Sequence, residues 1–178
     1  MKSFTSEEFH SRWADFDPSE FIFYSPQALE KIGLEPEEKG FFLISGLPEW
    51  AAPNIHFWKS FEEKYSGLIC IGVDGDENFI CLEKQNMGRL VVVDKENHES
   101  VRYLNASISI LCRTLLEYSE MVEASISKSE DAFSENSIPD ISIDEFRSRI
   151  MAFDPDAVRL PNSFWSEEIS RLLSHRKE

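Results

Sequence analysis

Apolar positions along this 178-residue chain change their spacing several times, and each change marks a different kind of element. Near the start, Phe9, Trp13 and Phe16 recur at three- and four-residue intervals behind Thr5, Ser6 and Glu7-Glu8. This is the pattern of a capped amphipathic helix, closed by Asp17-Pro18. Pro26 to Ile32, with Gly33 behind it, predicts a second short helix with Pro in its first turn and Gly just past its end. Phe41-Phe42-Leu43-Ile44 reads as a short buried strand, and the breaker-rich Gly46 to Pro53 as a structured turn holding one large ring, Trp50.

Three strand-like runs then follow at meander spacing: Leu68 to Val73, Phe79 to Glu83, and Arg89 to Asp94. Asp74 to Asn78 and Asn86-Met87-Gly88 are the turns between them. After Asn105 the period becomes helical again. Ser107 is placed to cap a helix in which Ile108, Leu111, Cys112, Leu115 and Val122 form a stripe, while Glu117, Glu120 and Glu123 recur on another face. Residues 125–142 are rich in Ser and acid, poor in large side chains and show no period, as expected of a linker or loop. Two further helical patterns follow, Ile143 to Phe153 and Ser163 to Leu173. The expected organisation is an α+β domain over 1–124, with a central antiparallel meander flanked by helices. A linker over 125–142 and a helical extension over 143–178, packed on or beside the core, complete it.

The tail echoes the head. Residues 7–18, EEFHSRWADFDP, align without gaps with 144–155, DEFRSRIMAFDP, sharing Glu8/Glu145, Phe9/Phe146, Ser11/Ser148, Arg12/Arg149 and a terminal Phe-Asp-Pro. Two readings stand. Amphipathic helices that both stop at Asp-Pro reuse few letters, or the two segments dock on one core by similar faces.

Composition narrows the functional classes. With 18 basic against 33 acidic residues the net charge is −15, so the chain repels phosphate backbones and anionic lipid and attracts basic partners. Direct nucleic-acid or membrane binding is not expected. No apolar run approaches the ~18–20 residues of a membrane span, and the acidic start lacks a signal-peptide core, which points to the cytoplasm. Cys70, Cys81 and Cys112 are odd in number and embedded in apolar runs, the setting of buried free thiols. Asn105-Ala106-Ser107 matches a glycosylation sequon, which has no role in a cytoplasmic chain.

The Asp74-Gly75-Asp76-Glu77-Asn78 stretch is open to three readings: a calcium loop, a catalytic carboxylate pair or a hairpin turn. Counted from Asp74, an EF-hand would need Gly at position 6 and Glu at position 12, where the chain has Phe79 and Gln85. Strand-forming flanks favour the turn, with Gly75 or Asn78 expected at positive φ. No Gly-x-Ser-x-Gly elbow, phosphate-binding glycine loop or zinc-deaminase signature occurs, and His10, His56, His98 and His175 stand apart. No catalytic residue, cofactor or metal is therefore expected. What remains is a set of rings and acids suited to docking: Trp50 and Trp58 as anchors, with Asp74, Asp76, Glu77, Glu96 and Glu99 as charge partners. The alternative fate of each is the core for the rings and solubility for the acids.

The central segment resembles the SUKH superfamily. The resemblance runs through Gly46-Leu47-Pro48, Ile71-Gly72-Val73-Asp74-Gly75-Asp76, Ile80-Cys81-Leu82, Gly88 with Val91-Val92-Val93, and Leu104-Asn105-Ala106-Ser107. Asp154-Pro155 and Phe164-Trp165 are similar to the ending of one subfamily. It implies an α+β fold without catalytic residues that works by binding a protein. In the immunity members that protein is a cognate toxin, often a nuclease or deaminase, encoded beside them. An acidic chain suits a basic toxin groove. The leading expectation is thus a toxin-neutralising immunity protein. The alternative is an intracellular adaptor of the same type without a toxin partner, and a hydrolase using surface carboxylates comes third.

Overall fold

The computed structural model describes residues 4–13, 21–30, 32–86, 88–126 and 138–174. The expected helix stop at Asp17-Pro18 and most of the 125–142 segment lie outside them. In chain order the elements are α1 (Ser6–Trp13), β1 (Phe21–Ile22), α2 (Pro26–Glu30), α3 (Pro36–Leu43), β2 (Leu47–Pro48), β3 (Trp50–Ala51), β4 (Ile55–Tyr65), β5 (Leu68–Val73), β6 (Phe79–Glu83), β7 (Leu90–Val93) and β8 (Val101–Asn105). The helices α4 (Ile108–Ile126), α5 (Asp140–Phe153), α6 (Asp156–Arg159) and α7 (Phe164–Ser174) complete it.

Strands β3 to β8 form one six-stranded antiparallel sheet in sequential order, and β1 pairs with β2 apart from it. Alternation decides which face is buried. Ile55, Phe57, Ile69, Ile71, Ile80, Leu82, Leu90 and Val92 join the core shared with Ile108, Leu111, Leu115 and Leu116 of α4, so the long helix covers the inner face. A smaller cluster of Cys70, Cys81, Val91 and Val93 lies apart from that core, under Trp58, Tyr65, Leu68 and Phe79. All three cysteines are buried and unpaired by disulfide.

The caps are where the sequence places them. Thr5 Oγ accepts from the Glu8 backbone N–H at 3.2 Å, and Ser107 Oγ from that of Ile110 at 3.4 Å. Glu38 of α3 adds a cap from outside, accepting from the Ser109 N–H at 3.0 Å and the Ser109 hydroxyl at 2.6 Å.

Two expectations change. Phe41 to Ile44 is not a strand: Phe41 and Phe42 are buried in the last turns of α3, a helix with Pro36 in its first turn and Glu37 and Glu38 at its positive end. A four-residue apolar run has no period of its own, and here the packing of α3 against both α1 and α4 decides its state. Gly40 permits that packing, because a Cβ there would stand 3.0 Å from Ser6 Oγ. The breaker-rich segment from Gly46 also holds strands, β2 and β3, with Gly46 at φ 72° where a Cβ would meet the Ile22 carbonyl.

The echo between head and tail has a structural counterpart. α1 and α5 both pack on α4, burying Phe9 and Phe146. The aligned arginines, Arg12 and Arg149, both reach Glu120 of α4, and Arg149 also reaches Glu117 at 3.0 Å. This favours docking by similar faces. The acids at every third position of α4 include the clasps for two neighbouring helices.

The C-terminal helices join through a buried polar network. Asp154, at the end of α5, accepts from the Tyr103 hydroxyl at 2.8 Å, the Asn105 amide at 2.9 Å and the Ala106 N–H at 3.2 Å. Asn105 in turn accepts from the Trp165 indole N–H at 2.9 Å and donates to Thr114 at 3.2 Å. One carboxylate and one amide thereby tie together β8, α4, α5 and α7.

Candidate partner-binding surface

In a sequential meander alternate turns fall at the same end of the sheet. The 52–54 turn, the 74–78 turn and the 94–100 connection therefore share one end, while the 66–67 and 84–89 turns share the other. Contacts confirm the grouping: the Lys95 N–H donates to Asn78 Oδ1 at 3.3 Å, and a Cβ on Gly75 would sit 3.0 Å from Asn54 Cβ. Asp74, Asp76, Glu77, Glu96 and Glu99 are all brought to this end.

They do not play the same part there. Asp74 is only 6% exposed. Its carboxylate accepts from the backbone N–H of Asp76 and of Asn78, from the Asn78 amide at 3.0 Å and from Arg102 at 3.1 Å, so its oxygens are spent inside the turn. It shapes the loop rather than facing outward. Asp76, Glu77, Glu96 and Glu99 are exposed. Glu77 pairs with Lys95 at 2.8 Å, which holds its carboxyl below the usual range. Asp94 is likewise held low by the backbone N–H groups of Asn97 and Glu96, the anion-binding geometry of an Asx turn.

The positive φ of the turn falls on Glu77, at 65°, rather than on Gly75 or Asn78. The Glu77 N–H donates to the Asp74 carbonyl at 3.0 Å, and the Asp74 N–H to the Asn78 carbonyl at 2.9 Å. Residues 75–77 thus form a three-residue hairpin loop whose third residue must be left-handed, a position ordinarily given to Gly.

The two tryptophans separate. Trp50 lies on the edge strand β3 and is 56% exposed, its ring stacked on His56 with centroids 4.0 Å apart. The two are cross-strand partners, and His56 pairs onward with Val73 at the root of the acidic turn. Trp58 sits two residues further along β4, half-buried over the outer cluster and edge-on to Phe79. Trp50 is therefore free to meet a partner, whereas Trp58 serves mainly as cover. His56 and Arg102 are the members that sequence reading missed. The alternation of His56 with buried Ile55 and Phe57 is the available signal for the first.

Beside the acidic turn a cleft of about 410 Å³ opens towards α7, lined among others by Asp74, Asp76, Arg102, Glu167, Glu168 and Arg171. Arg102 bridges Asp74 and Glu167, and Arg171 holds Glu168 at 2.7 Å while the Tyr118 hydroxyl donates to the same carboxylate. The cleft walls are braced by their own ion pairs. Among the described residues no group of three or more His, Cys, Asp or Glu side chains is arranged to hold a metal ion.

The profile of the SUKH-4 immunity protein family matches residues 14–173, nearly the whole chain. The chain belongs to the SUKH-4 immunity protein family. That membership agrees with the α+β meander and its C-terminal helices, and it carries a toxin-immunity role exercised on a protein partner. SUKH-4 proteins are generally not enzymes. No curated protein and no solved structure gives a significant match. No helix among the described residues is long and apolar enough to cross a membrane.

Proposed function

We propose that this SUKH-4 protein neutralises a cognate, basic toxin by laying the acidic end of its sheet over the toxin's functional surface. Trp50 is the apolar anchor. Asp76, Glu77, Glu96 and Glu99 are the charge partners, Asp74 sets the turn that presents them, and Trp58 supports the sheet face behind. The observation that carries this reading is the exposed Trp50 ring, held flat by His56 beside acid-tipped turns. A large ring fixed at low entropic cost within a charged rim is the arrangement expected of an interface hot spot. An interface of ordinary size, about 1,200–2,000 Å², would cover this end of the sheet. Nucleases and deaminases, whose substrate grooves are basic, are the fitting toxin chemistries. Electrostatic steering would raise association by a factor of about 10–1,000 at low salt.

The test is co-expression with the toxin encoded beside it, followed by binding kinetics. Reversing Asp76, Glu96 and Glu99 to Lys together should slow association about ten-fold or more at low salt, and Trp50→Ala should mainly speed dissociation. If the triple reversal protects cells and associates as fast as the wild type, this surface is not the one used. Association that ignores salt would remove the electrostatic part of the proposal.

A further inference from the structure

The outer face of the sheet holds a feature that partner binding does not use. Cys70 on β5 and Cys81 on β6 are direct cross-strand partners, and their sulfurs are 2.8 Å apart, close enough for the S–H of one to donate to the other. Facing residues of an antiparallel pair have Cα atoms ~4.5–5.5 Å apart, inside the range a disulfide spans. The third cysteine, Cys112, is buried in the main core on the other side of the sheet.

The cover over the pair is one side chain thick. Trp58, Tyr65, Leu68 and Phe79, all only partly buried, pack over it, and Lys64 lies across two of those rings, its Nζ 4.0 Å from the Phe79 centroid and 5.2 Å from that of Trp58. Ring and lysine side chains can swing aside without breaking the backbone ladder, which an approach to Cys112 through α4 could not do.

We propose that Cys70 and Cys81 form a dithiol modification site that reacts with small disulfides and closes into a cross-strand disulfide. The two sulfurs have unlike characters. The hydrogen bond from Cys81 pulls the Cys70 thiol below its ordinary pKa, with Lys64 assisting, and the same bond together with burial pushes Cys81 up. Cys70 is thus the attacking thiolate. Its sulfur attacks one sulfur of the small disulfide, the S–S bond breaks, and the first small thiolate leaves and is protonated. Cys81 then gives up its proton, attacks the Cys70 sulfur of the mixed disulfide and expels the second small thiolate, which takes that proton. Two protein thiols are oxidised by two electrons, and one small disulfide becomes two small thiols. The product joins β5 to β6, the strands of the hairpin whose turn carries Asp74 to Asn78.

The experiment incubates the folded protein with oxidised glutathione, alkylates remaining thiols and maps peptides by mass spectrometry. The expected result is a Cys70–Cys81 cross-link with loss of two hydrogen atoms, reversed by dithiothreitol, with Cys112 alkylated only after unfolding. Cys81→Ser should stop the reaction as a glutathione adduct on Cys70, and quenching of Trp58 fluorescence on closure should be absent from Trp58→Phe. Retention of both free thiols, under conditions that cross-link the same protein in urea, overturns the proposal. So does a stable adduct on either cysteine of the wild type. An adduct forming faster on Cys81 in Cys70→Ser than on Cys70 in Cys81→Ser overturns the assignment of the attacker.

Discussion

Removing the Asp154 carboxylate should loosen the C-terminal helices more than any surface change of equal size. Asp154→Ala leaves three donors facing a void: the Tyr103 hydroxyl, the Asn105 amide and the Ala106 N–H. At about 1–3 kcal/mol for each buried donor left unmade, the ceiling is roughly 9 kcal/mol. The local geometry lowers it. Ala106 is exposed, so its N–H can turn to water, and Tyr103 is only half-buried, so its hydroxyl can swing outward. Asn105 is fully buried but keeps its contact with Thr114. Deleting a buried carboxylate also recovers part of its desolvation cost. The net expectation is about 2–4 kcal/mol, which with a urea slope of about 2 kcal/mol/M moves the midpoint down by roughly 1–2 M. Asp154→Asn, which keeps one acceptor oxygen and can donate to the Tyr103 oxygen, should cost about half as much. In a Tyr103→Phe background one orphaned donor is already gone, so the cost of Asp154→Ala should shrink by about 1 kcal/mol. Urea unfolding followed by circular dichroism measures the wild type and the four variants. A loss below about 0.5 kcal/mol for Asp154→Ala, or no coupling with Tyr103, would refute the view that this network holds the helices.

Two other outcomes follow from the same structure. Glu77→Gly should stabilise the protein by about 0.5–1 kcal/mol, since relief of a left-handed non-glycine residue outweighs the added freedom of the unfolded chain and the exposed Lys95 pair; a lower urea midpoint would contradict the assigned turn. Tyr24, Tyr103 and Tyr118 all have their phenol pKa raised, desolvation being the largest cause in each. A folded-state pKa above the unfolded value of about 10 means that this stability is complete below pH ~10 and drains away as pH rises further. In a Tyr65→Phe background, which removes the one tyrosine lying partly open on the outer face, phenolate absorbance at alkaline pH should therefore appear in step with the loss of the helical signal, and a smooth rise in a still-folded protein would show the three tyrosines to be accessible.

What the sequence yields is set by which forces act locally. The period of α4, its Ser107 cap and the three middle strands are written in neighbouring residues, and all stand where pattern reading puts them. β4 is not legible in this way. Between Phe57 and Glu62 its register with β5 slips, so the alternation that would announce an eleven-residue strand is interrupted. The Phe41-Phe42 run turns helical because of what lies on both sides of it, which no local window contains. The same limit applies to the rings. Trp50 and Trp58 look alike in sequence, yet one lies exposed on the edge strand and the other lies over Cys70 and Cys81.

The acids sort by the same logic, and this bears on how the charge of −15 is used. Asp74 closes a turn, Asp154 ties the end of α5 to β8, Glu38 caps α4, Glu120 holds two arginines and Glu168 holds Arg171 and Tyr118. Each of these already meets a donor within the chain, so a partner would have to break that bond in order to use the charge. Asp76, Glu96 and Glu99 are different: they sit exposed on turns whose shape is fixed by Asp74 and Asp94. At this end of the sheet the exposed charge therefore stands on turns braced by their own hydrogen bonds. A docking face gains most from stiffness there, because charges held in place lose little entropy on meeting their counterparts.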